Sequence, residues 1–213
     1  MKATFCAIFL CILLAPSWAS AQSDFKPVDE AALIPEFFSF RAQLQVAIAR
    51  RDTSAVIAIL HRDIQLSFGD DSGIENFKKL WQPESPESRL WETMGSVLAL
   101  GGTFAADRSF TAPYVFTQWP RDLDAFEGIA VIGSGVRVRK APNPSAEIID
   151  SLSFTTVEIA EPPPKDATWT RVRLKGGKEG FVDSRYLRSP IDYRINFEKI
   201  DGRWQATFFI AGD

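Results

Sequence analysis

Histidine and cysteine are nearly absent from this 213-residue sequence, which holds one of the former and two of the latter. Both cysteines, Cys6 and Cys11, sit in the first apolar run, and the histidine is His61. Beyond that run no Cys–His nucleophile can be assembled, and the residue count rules out a zinc site built from several histidines or cysteines. No Gly-x-Ser-x-Gly turn occurs, so the signature of a nucleophile-elbow serine hydrolase is missing. Disulfides cannot staple the rest of the chain, so its stability must come from a buried core, for which the length suffices. After the N-terminal run no apolar segment approaches the ~20 residues a membrane-spanning helix needs. The scarce residue types leave carboxylates as the one route to catalysis. A glycosidase-like site needs only a pair of them, and Glu75 and Glu92 are the candidates.

What is present begins with a targeting pattern. Lys2 is followed by the apolar stretch Ala3 to Ala15, then Pro16 and the small-x-small triplet Ala19-Ser20-Ala21. This predicts a signal peptide over residues 1–21, cleaved near Ala21, and an exported, periplasmic protein starting at Gln22. Without Lys2, 23 basic residues face 27 acidic ones, a net charge near −4. Residues 22–126 carry 10 basic against 15 acidic side chains, whereas residues 127–190 carry 10 against 8. The shift supports a boundary near 124–128. The basic excess of the second segment is too small to argue for nucleic acid.

The first segment reads as an α+β domain over residues 22–126. Phe37, Phe40, Leu44 and Ile48 recur at helical spacing, which predicts an amphipathic helix over 36–51. Asp52 is placed to cap a second helix with Val56, Ile59 and Leu60 facing inward. Ile64, Leu66 and Phe68 alternate with polar residues as a half-buried strand would. A turn around Asp70, Asp71 and Gly73 leads into a helix over 74–81, with Asp71 or Ser72 as its cap. The acidic residues here lack the spacing of a calcium loop. A further helix starts at Ser88 and stops at Gly101-Gly102. His61 is expected at a helix end and no metal or other cofactor is called for.

Residues 127–190 read as a small closed all-β barrel. Val136 and Val138 alternate with Arg137 and Arg139, and Val172 and Leu174 alternate with Arg171 and Arg173. Five short strands within about sixty residues suit such a barrel. The run Val136 to Arg139, the turn Ala141-Pro142, the strand Trp169 to Val172 and the closing Gly180 to Leu187 resemble the bacterial SH3 (SH3b) domain family. Phe181 stands where that family often has Trp, and Arg137 where it often has Asn. The resemblance implies a binding accessory for cell-wall or peptide ligands. It also implies that Val138, Val172, Val182 and Leu187 are core. Trp169, Phe181 and Tyr186 present aromatic faces that suit either packing or a ligand groove. Arg137, Arg139, Arg171 and Arg173 form an outward basic face that would match carboxylates, or be merely solvated.

Past the barrel, Tyr193 to Ile200 and Arg203 to Ile210 flank Asp201-Gly202, a strong two-residue hairpin signal. A regular register would pair Lys199 with Trp204, Phe197 with Ala206, Ile195 with Phe208 and Tyr193 with Ile210. One face is then apolar except for Lys199, and a lone hairpin is marginal in water. The hairpin, residues 191–213, is therefore expected to pack back on the N-terminal domain and complete it. A helix pair, a strand and a closing Gly-x-Trp strand resemble the nuclear-transport-factor-2-like fold, which would make the barrel an insertion. The functional expectation is a monomeric, non-catalytic exported protein. Its barrel would engage a cell-wall component or an envelope-protein peptide through Trp169, Phe181, Tyr186, Arg137 and Arg139. A scaffold or inhibitor of another envelope protein, or a carboxylate-dependent wall hydrolase, are the alternatives.

Overall fold

The computed structural model describes residues 24–212. The expected signal peptide and cleavage point lie outside them. The chain order is α1 (Pro35–Ala49), α2 (Thr53–Ala58), β1 (Leu60–Gln65), α3 (Ile74–Trp81), α4 (Leu90–Ala99), β2 (Thr103–Phe104), β3 (Phe110–Ala112) and α5 (Tyr114–Thr117). It continues with β4 (Gly128–Val131), β5 (Val136–Arg139), β6 (Ile148–Leu152), β7 (Thr155–Ile159), β8 (Trp169–Arg173) and β9 (Glu179–Asp183). β10 (Leu187–Arg188), β11 (Arg194–Ile200) and β12 (Arg203–Ile210) close it. Two sheets result: a five-stranded one in the order β1-β12-β11-β3-β2 and a seven-stranded one in the order β10-β4-β7-β8-β9-β5-β6. Together they make an α+β protein with a β-rich C-terminal part. No helix among the described residues is long and apolar enough to cross a membrane.

Pro35 opens α1 at the first helical position, where its missing N–H costs nothing. Asp52 caps α2 by accepting from the Ala55 N–H at 3.0 Å. The expected cap of α3 is not found: Gly73 holds that position at φ 87°, with no side-chain cap bond. The Asp71 carboxylate turns back on its own loop instead, where it accepts from the Ser67 hydroxyl at 3.4 Å. β1 begins at Leu60, earlier than the alternating pattern suggested, so His61 lies on a strand and not at a helix end. Phe68 falls beyond that strand and is 58% exposed.

The helices cover one face of the five-stranded sheet. Phe37 is fully buried at the centre of this layer, with ring centroids of Phe110 at 4.4 Å, Trp204 at 4.8 Å and Phe197 at 5.7 Å. Nearby, Arg41 is almost buried and makes a two-pronged pair with Asp29, both bonds 2.7 Å long. Burial disfavours the Asp29 carboxylate, yet the Arg41 bonds, the Ala31 N–H and the Arg41 charge together hold its pKa below the usual value. A carboxyl depressed in the folded state stabilises fully above its unfolded pKa, and that stability is lost as pH falls through the folded value. Asp29→Asn should therefore lower the melting temperature at pH 7 and shrink the drop seen on acidification. Thermal melts from pH 7 to pH 3 check this, and an unchanged acid limb would remove Asp29 from the account.

The C-terminal hairpin supplies the middle of the five-stranded sheet. β12 runs parallel to β1, and β11 runs antiparallel to β3. Asp201 and Gly202 turn at φ 49° and 77°, the left-handed pair that a tight hairpin requires. Lys199 pairs with Trp204 and Phe197 with Ala206 as expected. A bulge then inserts Thr207, so Asn196 meets Phe208, Ile195 meets Phe209 and Arg194 meets Ile210. The extra residue flips the strand. Phe209, assigned to the outer face by strict alternation, becomes fully buried, whereas Phe208 is half-buried.

The seven-stranded sheet is built entirely from the chain between β3 and β11. Val131, Val138, Val172 and Val182 are fully buried in its own core. It coils without closing: β10 and β6 stand at opposite ends of the strand order, so no closed barrel is formed. A third cluster joins it to the first part, where Phe25, Tyr114 and Val115 meet Ala130. Phe25 also donates its N–H to the Phe154 carbonyl at 2.8 Å. Burial pushes the Tyr114 phenol up to about 12, so the ring stays neutral at this junction.

Candidate binding groove

The period-two pattern of β5, β8 and β9 sends the valines and Thr170 inward and the alternate side chains to a common outer face. Cross-strand pairing sets their positions: Trp169 lies opposite Asp183, while Phe181 lies between Arg171 on β8 and Arg139 on β5. Gly180 makes the close strand approach possible. A Cβ there would come within 2.6 Å of Val138 and 2.8 Å of Ile149. Gly180→Ala should therefore destabilise by roughly 1–3 kcal/mol through overpacking, read as a lower denaturation midpoint with an unchanged slope. An unshifted midpoint would mean that β5 and β6 simply move aside.

At one end of this face lies a groove of about 380 Å³. It brings together four of the five residues singled out from sequence: Arg137, Arg139, Trp169 and Tyr186. Trp169 is half-buried and Tyr186 is 46% exposed, so both offer ring surface to a ligand. Phe181 does not line it and is half-buried on the neighbouring stretch of sheet. Pro144, Asp183 and Arg185, which were not anticipated, complete the lining together with residues 134–136. The signal for them existed, since Asp183 follows the strand alternation outward and Arg185 adjoins Tyr186.

The electrostatics of the face differ from a uniform basic strip. Arg171 is held by Glu179 at 2.9 Å and Glu161 at 3.6 Å, and Arg173 by Glu179 at 3.0 Å and Glu158 at 3.3 Å. These two arginines are therefore neutralised locally. Arg139 donates to the Ala146 carbonyl at 2.7 Å. Arg185 grips Asp183 at 2.7 Å and 3.0 Å, and that hydrogen bonding keeps the Asp183 carboxyl below its usual range despite some burial. The Arg185 guanidinium also sits 5.9 Å from the Tyr186 ring centroid. Arg137 is exposed, and its side chain has neither ion pair nor hydrogen bond among the described residues. The groove thus couples two aromatic faces to one unengaged guanidinium, a combination suited to binding.

The carboxylates considered for catalysis lie elsewhere. Glu75 is exposed on α3 and paired to Lys78 at 2.9 Å, and Glu92 is exposed on α4. His61 accepts the Asp63 N–H through Nδ1 at 3.2 Å. No group of three His, Cys, Asp or Glu side chains among the described residues is arranged to hold a metal.

Residues 134–188 match the bacterial SH3 domain family, so the groove lies within a domain of a recognised binding class. The match spans β5 to β10 and leaves β4 and the five-stranded sheet outside it. No curated protein matches the chain.

Proposed function

We propose that this is an exported, non-catalytic binding protein of the cell envelope. Its bacterial SH3 domain engages peptidoglycan or a peptide of an envelope protein. The observation that carries the reading is the groove, where Trp169, Tyr186 and the unengaged Arg137 converge inside the matched domain. Ring faces supply apolar contact to peptide or sugar surfaces, and an unpaired guanidinium supplies a fork for carboxylates. Phe181, flanked by two arginines, extends the contact surface along the sheet.

Two experiments run on the same preparation test it. Co-sedimentation with purified peptidoglycan asks for the wall, and affinity capture from solubilised envelope asks for a protein. Arg137→Glu should lower whichever signal is found by about tenfold, because it removes an attraction and adds a repulsion. Retention on neither matrix, or retention indifferent to Arg137, would contradict the reading.

A further inference from the structure

A second hollow, of about 620 Å³, opens between α4 and the segment Ser184–Arg188, with Trp81, Leu187 and Tyr193 among its lining. Arg185 lines this cleft and also lines the groove of the SH3 domain. Its side chain is 79% exposed, so it is a ridge shared by two neighbouring hollows and not a wall enclosing either. The two-pronged bond to Asp183 fixes that ridge in place.

Five arginines line the two hollows, and their engagement is uneven. Arg139 is taken by the Ala146 carbonyl, Arg185 by Asp183, and Arg188 by Asp192 at 3.0 Å and the Tyr193 carbonyl at 2.9 Å. The side chains of Arg137 in the groove and Arg89 in the cleft have no ion pair or hydrogen bond among the described residues. Both are exposed. One free guanidinium therefore stands on each side of the Arg185 ridge.

We propose that the ligand is an extended acidic peptide that lies in the groove, crosses Arg185 and continues into the cleft against α4. The inference rests on the binding reading above and names the ligand's chemistry and length. Carboxylates at two separated positions would meet Arg137 and Arg89 in bidentate geometry. Neutral sugar offers those arginines no anion, which favours peptide over glycan. Glu92, exposed in the first turn of α4 and lining the same cleft as Arg89, would face the N–H or amine groups of the peptide. The five-stranded domain would then contribute to recognition through α4.

The test uses the full-length chain and fluorescence anisotropy. One labelled peptide of about eight residues, reaching on the order of 26 Å when extended, carries a glutamate near each end. A three-residue peptide with a single glutamate, and a long peptide with both glutamates replaced by glutamine, are the comparisons. Intact sacculi and sacculi stripped of their peptides distinguish a wall source from a protein source. Arg137→Glu should weaken both acidic peptides, whereas Arg89→Glu should weaken the long one by about tenfold and leave the short one within twofold. Both side chains are exposed, and melting curves confirm that each variant is folded. Binding to intact sacculi that also depends on Arg89 supports the proposal with the wall as source. Binding to the long peptide alone supports it with a protein as source. If Arg89→Glu changes nothing while Arg137→Glu does, the groove reading stands and the extension is wrong. If stripped sacculi or the glutamine peptide bind as well as their acidic counterparts, binding stands and the acidic class is wrong. Wild-type protein that binds none of the probes would overturn the binding reading itself, and the inference with it.

Discussion

Removing residues 191–213 is expected to abolish cooperative melting of the five-stranded domain. The deleted hairpin contains β11 and β12, the two strands that separate β1 from β3. Without them β1 loses its parallel partner, β3 keeps only the two-residue β2, and Phe37 and Trp81 lose Phe197, Trp204 and Phe209. Short strands without neighbours are not stable in water. The proposed division of the chain follows: residues 22–126 form one domain with 191–213, and 127–190 are an insertion with their own core. Residues 127–190 expressed alone should melt cooperatively, whereas 22–126 alone should show a broad transition and bind a hydrophobic dye. A sharp, dye-free melt of 22–126, unchanged by adding 191–213, would replace the insertion by two successive domains.

Phe37→Ala carries the next largest expected effect. Its ring is fully buried and within 5.8 Å, centroid to centroid, of five other aromatic rings: Phe40, Phe104, Phe110, Phe197 and Trp204. Those neighbours come from one helix and four strands, so no single element can shift to fill the space. The expected loss is about 4 kcal/mol, from transfer and cavity combined. In a chain of this size that corresponds to a fall in melting temperature of roughly 8–16 °C. Phe38, its sequence neighbour, is 49% exposed, and Phe38→Ala should stay within about 0.5 kcal/mol. Equal losses in the two variants would mean that the aromatic cluster is not the centre of the core.

The particular elements show how far the sequence could be read. Spacing located α1, α3 and α4 to within a few residues, because each buries one face and its apolar residues repeat accordingly. Asp201-Gly202 located the hairpin, since few dipeptides accept two consecutive left-handed residues. The bulge at Thr207 was invisible, because alternation assumes an uninterrupted ladder and a single inserted residue reverses every side chain beyond it. Phe68 misled for a different reason: it looked like a core strand residue, but it stands outside β1 with the Arg194 guanidinium 5.3 Å from its ring centroid.

At the groove, alternation placed Arg137 and Arg139 on the outer face, and the family pattern added Trp169 and Tyr186 as rings suited to either packing or a groove. The neutralisation of Arg171 and Arg173 was not legible, because Glu158, Glu161 and Glu179 come from other strands and a loop. Charge counts along a chain sum these residues, whereas the fold pairs them. The same limit hid the cleft against α4, whose lining is drawn from residues about a hundred positions apart.

The most direct measurement is Trp169→Ala, with ligand retention and melting temperature recorded on the same sample. Trp169 is half-buried on the outer face and lines the groove, while the core beneath β8 is made by Val172 and its neighbours. The account predicts retention reduced about tenfold, as for loss of a stacked aromatic contact of roughly 1–2 kcal/mol, with the melting temperature lowered by only a few degrees. A variant that loses several kcal/mol of stability while the fraction still folded retains ligand normally would show that the indole is core and that the groove is not the binding site.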